Sequence, residues 1–373
     1  MTPFLLVFLP PALLAVSTAL GGWALLLPPV VLFGVIPLLD HLVPQDRAEA
    51  VPPRWFGLLP VLFLPAHFAT AAWALAVAAQ APPLQAAALT AGCGFSAAMA
   101  INVAHELMHR AGRVQPSLAT VLLSSTLYTH FSVEHVQGHH KRVGTPDDPA
   151  TSRLGESIVR FLPRTLLGSL RSAWRIEAER VGWCPANRVL QGFAVQGVVL
   201  VGVGAWLGPL GLGLFLAQAA VGVLMLETIN YIEHYGLVRE ARADGGFVRV
   251  RPEHSWNSSH RVSNWILLNL ARHSDHHAFA ARSFGELRHH DGAPQLPTGY
   301  AGMLLLAWVP PVWFRVMDPR VAAAMGRARR VDPGARVGVF GAGQTSEVGR
   351  DEVSPGSFYE VAGCVKAPSV PLL

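Results

Sequence analysis

Two tight clusters, His105-Glu106-Leu107-Met108-His109 and Glu134-His135-Val136-Gln137-Gly138-His139-His140, hold five histidines of this 373-residue chain. Much later comes His273-Ser274-Asp275-His276-His277, with a single companion, His234, inside Asn230-Tyr231-Ile232-Glu233-His234-Tyr235-Gly236. Residues four apart on a helix share one face a turn apart, so His105 and His109 point the same way. The spacings within the other two sets allow each to aim two or three imidazoles at one point. Imidazole is neutral near pH 7 and suits Fe, Zn, Cu and Ni. Leaving so many imidazoles buried and unpaired would be costly, so nine clustered histidines read as ligands rather than as scaffolding.

A tetrahedral zinc takes about four ligands. Nine imidazoles exceed what one ion can use and fit two ions with room for exogenous ligands. No cysteine stands near the clusters, so a dinuclear non-haem iron centre is the natural reading. Glu106, Glu134, Glu233 and Asp275 sit within or beside the clusters and are the candidate catalytic carboxylates: ligands, bridges, or acceptors that fix imidazole tautomers. The first cluster also matches HExxH, the zinc metalloprotease motif in which the glutamate is a general base. An intramembrane zinc protease would need one further ligand and would leave the other histidine sets unexplained. A non-catalytic metal carrier is a third reading, but a transporter calls for ionisable groups at mid-membrane, which these spans lack.

The elements that must position these residues are apolar. Hydrophobic residues make up 51% of the chain against 14% charged, and no charged side chain occurs before Asp40, between Arg54 and Glu106, or between Arg188 and Glu227. About 20 such residues cross a bilayer as a helix. The pattern gives six transmembrane helices in three hairpins: 3–21 with 23–39, 57–78 with 85–104, and 189–207 with 211–229, turned at Gly21-Gly22, Ala81-Pro82-Pro83 and Gly208-Pro209. Prolines inside them imply kinks that neighbouring helices must absorb. Leu118–Phe131 and Met303–Val316 are too short to cross and are expected to lie in or re-enter the interface.

All three hairpin tips lack Lys and Arg, whereas residues 104–188 carry 11 basic residues and 228–330 carry 13. The positive-inside rule then puts both termini and every histidine cluster in the cytosol, forming a histidine-rich catalytic cap on an all-α membrane protein. The net charge of +5 is nearly all Arg beside apolar stretches and is not a nucleic-acid footprint. A membrane-embedded domain is expected over 1–320, with 321–373 a loosely ordered tail rich in Ala, Gly, Val and Ser. Gly338-Val339-Phe340-Gly341-Ala342-Gly343 lacks the strand–helix–strand setting of a dinucleotide loop.

The three histidine boxes resemble those of the integral-membrane di-iron superfamily of fatty-acid desaturases and hydroxylases. Asn230 to Leu237 is similar to the segment that separates membrane alkane 1-monooxygenases from desaturases, and four flanking words agree: Pro37–Asp40, His254–Asn257, Asn269–Ala278 and Pro294–Tyr300. The resemblance implies a bacterial inner-membrane monooxygenase that oxidises the terminal methyl of medium or long alkanes to 1-alkanols with O2. Electrons would come from reduced rubredoxin, itself reduced by an NAD(P)H-dependent reductase. Two Fe ions would be bound by His105, His109, His135, His139, His140, His234, His273, His276 and His277. A related hydroxylase or desaturase acting on aryl methyl groups or acyl chains is the nearest alternative.

An alkane has no polar handle, so a tunnel between the helices must select it by shape. Trp23, Trp73 and Phe95 are the large residues in position to line or plug it, and lipid-facing or packing roles compete for each. His130, His254, His260, His289 and His290 fall outside the box spacings and read as supporting or surface residues, His41 and His67 as structural. Arg110, Lys141, Arg142, Arg272 and Arg288 could offer a basic face to an acidic electron donor, or instead pair with Asp147 and Asp148.

Overall fold

A computed structural model describes residues 3–48 and 53–331. Among these residues there is no β-strand, only two isolated bridges, and the regular secondary structure is helical. Four apolar helices open it: α1 (Pro3–Leu20), α2 (Gly22–Leu42), α3 (Trp55–Ala78) and α4 (Pro83–Met108). Then come α5 (Val114–Ser124), the basic amphipathic α6 (Ile158–Val181) and the 47-residue α7 (Arg188–His234). Short helices α8 (Arg261–Ile266), α9 (His273–Ala278) and α10 (Tyr300–Ala307) lead into α11 (Pro310–Val331). By length and composition α1, α2, α3, α4 and α7 can each cross a membrane.

A straight helix of 47 residues would reach about 70 Å, more than twice the hydrocarbon core of a bilayer. The backbone instead leaves helical geometry at Gly208 (φ 69°, ψ −173°), just before Pro209. Glycine accepts this left-handed φ without a Cβ clash, and proline cannot donate to the preceding turn. A side chain at Gly204 would touch Leu212, which a straight helix would hold about 12 Å away. The expected turn at Gly208-Pro209 is thus where α7 is interrupted. Gly21 (φ 60°) and Gly22 (φ 52°) make the corresponding break between α1 and α2.

α4 is the most enclosed of the apolar helices and packs on α7, α3, α5 and α1. Its contact with α7 runs along small residues: a Cβ on Gly94 would lie 2.5 Å from Val221, and one on Gly222 would lie 3.1 Å from Ala97. Close approach along a small-residue seam is how helices associate in lipid, where no hydrophobic drive separates helix from solvent. The few polar groups at this depth are paired. His67 lies 3.0 Å from Ser96 Oγ and 3.1 Å from Ser125 Oγ, while Gln218 Nε2 donates to the Ser125 carbonyl at 2.7 Å. These bonds tuck the turn after α5 between α3, α4 and α7, and they bear out the structural role expected for His67.

The membrane-facing helices deliver their ends to a cap whose core is aromatic: Tyr231, Tyr235, Trp256, Trp313 and Phe161 are buried together. Trp256 anchors the end of α7 by donating from its backbone N to Glu233 O (2.8 Å) and from Nε1 to Tyr235 O (2.9 Å). α11 continues past the expected boundary at Arg320 to Val331, with Val321 buried against Gly236. The beginning of the expected tail is therefore packed helix, because Val321 completes the apolar face that α11 lays on the cap. Residues 332–373, including the glycine-rich Gly338–Gly343, lie outside the described residues.

The α4–α7 seam gives a measurable expectation. Gly94→Leu should cost about 1–3 kcal/mol through overpacking and lower the thermal midpoint of the detergent-solubilised protein. Gly197→Ala, where an added Cβ meets only open space, should not. Superimposable melting curves for Gly94→Leu and the parent would contradict the seam.

Candidate metal centre

Four elements end at one point. The last turn of α4 presents His105 and His109, and a π-helical turn over Glu134–His139 presents His135 and His139, with His140 next to it. The last residue of α7 is His234, and α9 carries His273, His276 and His277. Their ring nitrogens form two adjacent groups: His105, His109, His135, His140 and His276 in one, His139, His234, His273 and His277 in the other. Within each group the nitrogens all lie within 4.8 Å of one another.

The partition differs from the expectation that each box aims at a single point. Two of the boxes straddle the groups, and helical geometry explains how. On α9 His273 and His277 are one α-turn apart and share a face, while His276 points to the other group. In the π turn the hydrogen bonds run from i to i+5, so α-helical facing does not apply, and His135 and His140 fall in one group while His139 falls in the other. Such widened turns recur at functional sites. Gly138 permits this one, since a Cβ there would collide with Glu134 and Arg142 beneath it.

The chemistry of the nitrogens fits metal ions. Burial holds His109 down to about 3, with the Arg110 charge and His139 adding to the effect. Burial likewise pushes His135, His140, His273, His276 and His277 well below 6.5. All six imidazoles are therefore neutral rather than cationic, the form in which imidazole can bind a metal ion. Nε2 of His140 faces Nε2 of His135 at 3.0 Å and Nε2 of His276 at 3.1 Å, and Nε2 of His273 faces Nε2 of His234 at 3.2 Å. Nε2 of His105, His109 and His139 and both nitrogens of His277 are buried with no hydrogen-bond partner. Converging buried lone pairs without protons to satisfy them need cations, and the all-nitrogen set suits a transition metal.

Asp148 supplies what the sequence reading overlooked. His139 Nδ1 donates to Asp148 Oδ2 at 2.8 Å, which fixes the tautomer and leaves Nε2 facing the group. Burial lowers the His139 pKa, but the Asp148 charge and hydrogen bond outweigh it and the net shift is upward; Asp148 itself is held at about 2. Thr151 Oγ1 donates to the same carboxylate at 2.6 Å. Asp148 is buried and bonds no surface arginine, whereas Asp147 beside it is exposed. Two adjacent aspartates gave the sequence no way to tell them apart.

None of the four singled-out carboxylates belongs to either nitrogen group. Glu106 pairs with Arg110 Nη2 at 2.5 Å and accepts from Phe284 N at 3.3 Å, so the HExxH glutamate is committed elsewhere. Glu134 is bound by Arg142 (2.9 Å) and Ser172 (3.1 Å), and burial pushes it up to about 7. Asp275 takes His290 Nε2 and Arg282 Nη1, both at 2.6 Å, and Arg288 N at 3.0 Å. Glu233 accepts from Tyr300 Oη at 2.7 Å and lies 3.2 Å from His273 Nδ1 without hydrogen-bond alignment.

Among the other histidines, His290 supports Asp275, His260 and His289 bond Ser258 and Ser259, and His254 lies 3.4 Å from Glu240. His130 packs edge-on against Tyr128. The expected basic patch is depleted. Arg272 is buried and donates to the carbonyls of Leu287, Asp46 and Ala48, and Arg110 and Arg142 are bound to glutamates. Lys141 and Arg288 remain exposed.

An apolar cleft of about 710 Å³, open mouth included, lies between α1, α2, α4 and α7, under a roof of α8 and α10. Leu32, Phe33, Phe95, Met99, Met225 and Leu304 are among its walls, with Phe33 and Phe95 edge to face at 5.4 Å. Trp23 and Trp73 are not; they are 88% and 44% exposed and face outward, as spans in lipid allow. Its lining also includes Asn102, one turn before His105, and Tyr300, bonded to Glu233.

The fatty acid desaturase family model matches residues 81–306. Fold and site together define an integral membrane protein of that class with a histidine-rich, non-haem metal centre. An alkane 1-monooxygenase of Acinetobacter baylyi is 40% identical over 319 residues, which cover 81% of this chain and 77% of its own. One of Pseudomonas putida is 40% identical over 320 residues, 80% and 79% of the two chains. The xylene/toluene monooxygenase hydroxylase component XylM of Pseudomonas putida is 30% identical over 305 residues, 76% and 79%. The chain belongs to the alkane 1-monooxygenase family.

If Asp148 orients His139, Asp148→Ala should weaken metal retention about 10–100-fold, read by chelator titration of the metal-loaded protein. Retention equal to the parent's would remove Asp148 from the site.

Proposed function

We propose that the chain is a membrane di-iron monooxygenase that converts the terminal methyl of medium or long alkanes to a 1-alkanol with O2, taking electrons from rubredoxin reduced by an NAD(P)H-dependent reductase. The observation that carries this reading is a largely apolar cleft whose lining includes Asn102, one turn before His105, and Tyr300, bonded to Glu233 beside His273, next to two adjacent all-histidine groups. Five histidines would hold one iron and four the other; when bound, the irons supply the O2 reduction and C–H cleavage that side chains cannot. Family membership favours iron, since the donor set alone also suits zinc or copper.

The protein's part is to bind, orient and exclude water. Aliphatic and aromatic walls grip a chain that offers no hydrogen bond, so only its tip would reach the histidine groups. Asp148 keeps the proton of His139 on Nδ1, and the Tyr300 hydroxyl keeps Glu233 oriented beside His273. The break at Gly208 supports six crossings in three hairpins. The basic residues of the cap support a cytosolic centre in the inner membrane. The hydroxylase domain would extend past Arg320 along α11.

The likeness to XylM favours aryl methyl groups as the second reading, at lower identity than the alkane enzymes. An acyl-chain desaturase or hydroxylase would need a polar berth for a carboxyl or thioester, and Asn102, Ser263 and Tyr300 are the cleft's only hydrogen-bonding side chains. A zinc protease would need a free Glu106.

Membranes supplied with reduced rubredoxin and its reductase should turn a ladder of alkanes into 1-alkanols detectable by gas chromatography, and the purified protein should hold two irons per chain. One zinc and no iron would sink the proposal. His234→Ala should abolish octane or hexadecane oxidation and lower iron content; full turnover with full iron would detach the end of α7 from the centre.

A further inference from the structure

The roof of the apolar cleft is made of two short helices, α8 and α10, packed against α1, α2 and α7. α8 contributes Ser263 and Ile266 to its lining, and α10 contributes Tyr300 and Leu304. The two meet each other and α2 at a buried carboxylate, Asp40, near the end of α2. Asp40 Oδ1 accepts from the backbone N of Ser263 at 3.0 Å, and Oδ2 accepts from the Ser263 hydroxyl. On the other side Gly299, which immediately precedes α10, lies so close that an added Cβ would collide with both the Asp40 carboxylate and Ser263 Oγ. Its φ of −67° needs no glycine, so the glycine there answers to space rather than to backbone strain.

Asp40 is also the first charged residue of the chain, after an apolar stretch of two helices. A carboxylate taken out of water at the end of such a helix is expensive unless hydrogen-bonded, and here the bonds come from the roof itself. The floor and the roof of the cleft thereby share one fixed point, since Ile36, one turn before Asp40 on α2, lines the same cleft. Tyr300, the first residue of α10, both lines the cleft and bonds Glu233 beside His273.

We infer that Asp40 is a positioning residue for the substrate: by clamping α8 and α10 to α2 it sets where the tip of the hydrocarbon stops relative to the histidine groups, and so which carbon reacts. The inference rests on the alkane reading above. A shift of one carbon along the chain is about 1.3 Å of movement, within the range in which misplacement costs up to about 100-fold in rate. Loosening the clamp therefore acts on regiochemistry and KM before it acts on the metal.

Three variants test it from different directions: Asp40→Ala removes the carboxylate, Ser263→Ala removes the hydroxyl bond alone, and Gly299→Ala wedges the clamp without touching the charge. Each is measured for iron content, for deuterium exchange of residues 261–267 and 300–307, and for products from octane. The expected result is faster exchange in both segments, KM raised about tenfold or more, and 2-octanol appearing beside 1-octanol at unchanged iron content. Exchange equal to the parent's in Ser263→Ala and Gly299→Ala overturns the clamp, even if Asp40→Ala fails to accumulate. Faster exchange with 1-octanol as the sole product and unchanged KM overturns the positioning role. If the parent itself makes no alcohol from any alkane while the variants exchange faster, the clamp stands and the substrate reading falls instead.

Discussion

Nine imidazoles are packed against one another in a space from which water is largely excluded, and most are held neutral by burial. Each unpartnered buried nitrogen costs about 1–3 kcal/mol, so the arrangement is untenable unless something takes up the lone pairs. Everything around it is arranged to aim them. The π turn over Glu134–His139, the close quarters at Gly138, and the anchoring of α7 by Trp256 all serve to bring distant segments to one place. Metal binding would contribute folding free energy as well as chemistry, because no such site can exist in the unfolded chain.

Around the nitrogens lies a ring of carboxylates, each with its own cation or hydroxyl. Asp148 holds His139, Glu233 stands between Tyr300 and His273, and Asp275 gathers His290, Arg282 and the Arg288 backbone. Of these acids Asp148 alone hydrogen-bonds one of the nine histidines, and none of them joins either nitrogen group. Glu106 and Glu134 are spent on Arg110 and Arg142, which tie the ends of the histidine-bearing segments to the cap. Beside this ring the character changes abruptly: the cleft is lined by hydrocarbon side chains apart from Asn102, Ser263 and Tyr300. A site that must grip a substrate with no polar group, and then do polar chemistry on it, requires that sharp boundary.

The membrane imposes a second discipline. With no water to satisfy them, polar groups among the spans must find partners within the protein. His67 does so between Ser96 and Ser125, and Gln218 reaches the Ser125 carbonyl. These same bonds seat the turn after α5, from which the chain proceeds to the π turn. Satisfying buried polar groups and positioning ligands are here one task.

Much was legible in the sequence because it depends on short-range rules. Apolar run lengths located the helices α1 to α4 and α7, though α4 runs on to Met108 and α7 to His234 past the expected ends at 104 and 229. Gly208-Pro209 marked the interruption of α7, and the histidine boxes named all nine histidines that the fold brings together. Spacing could not say how they divide, since assuming an α-helix at His135–His140 hides the π turn that sends His139 to the other group. Nor could it separate Asp148 from Asp147, or find Asp40 and Tyr300 as neighbours of the cleft. Their partners lie elsewhere: 9 residues away for Asp148, 67 for Tyr300 and 223 for Asp40. Periodicity and composition determine which segments are helices and which residues can bind a metal, because those are properties of a side chain and its near neighbours. Which nitrogen faces which, and which acid holds it there, is decided only when helices from opposite ends of the chain pack, because a hydrogen bond records distance in space and not in sequence.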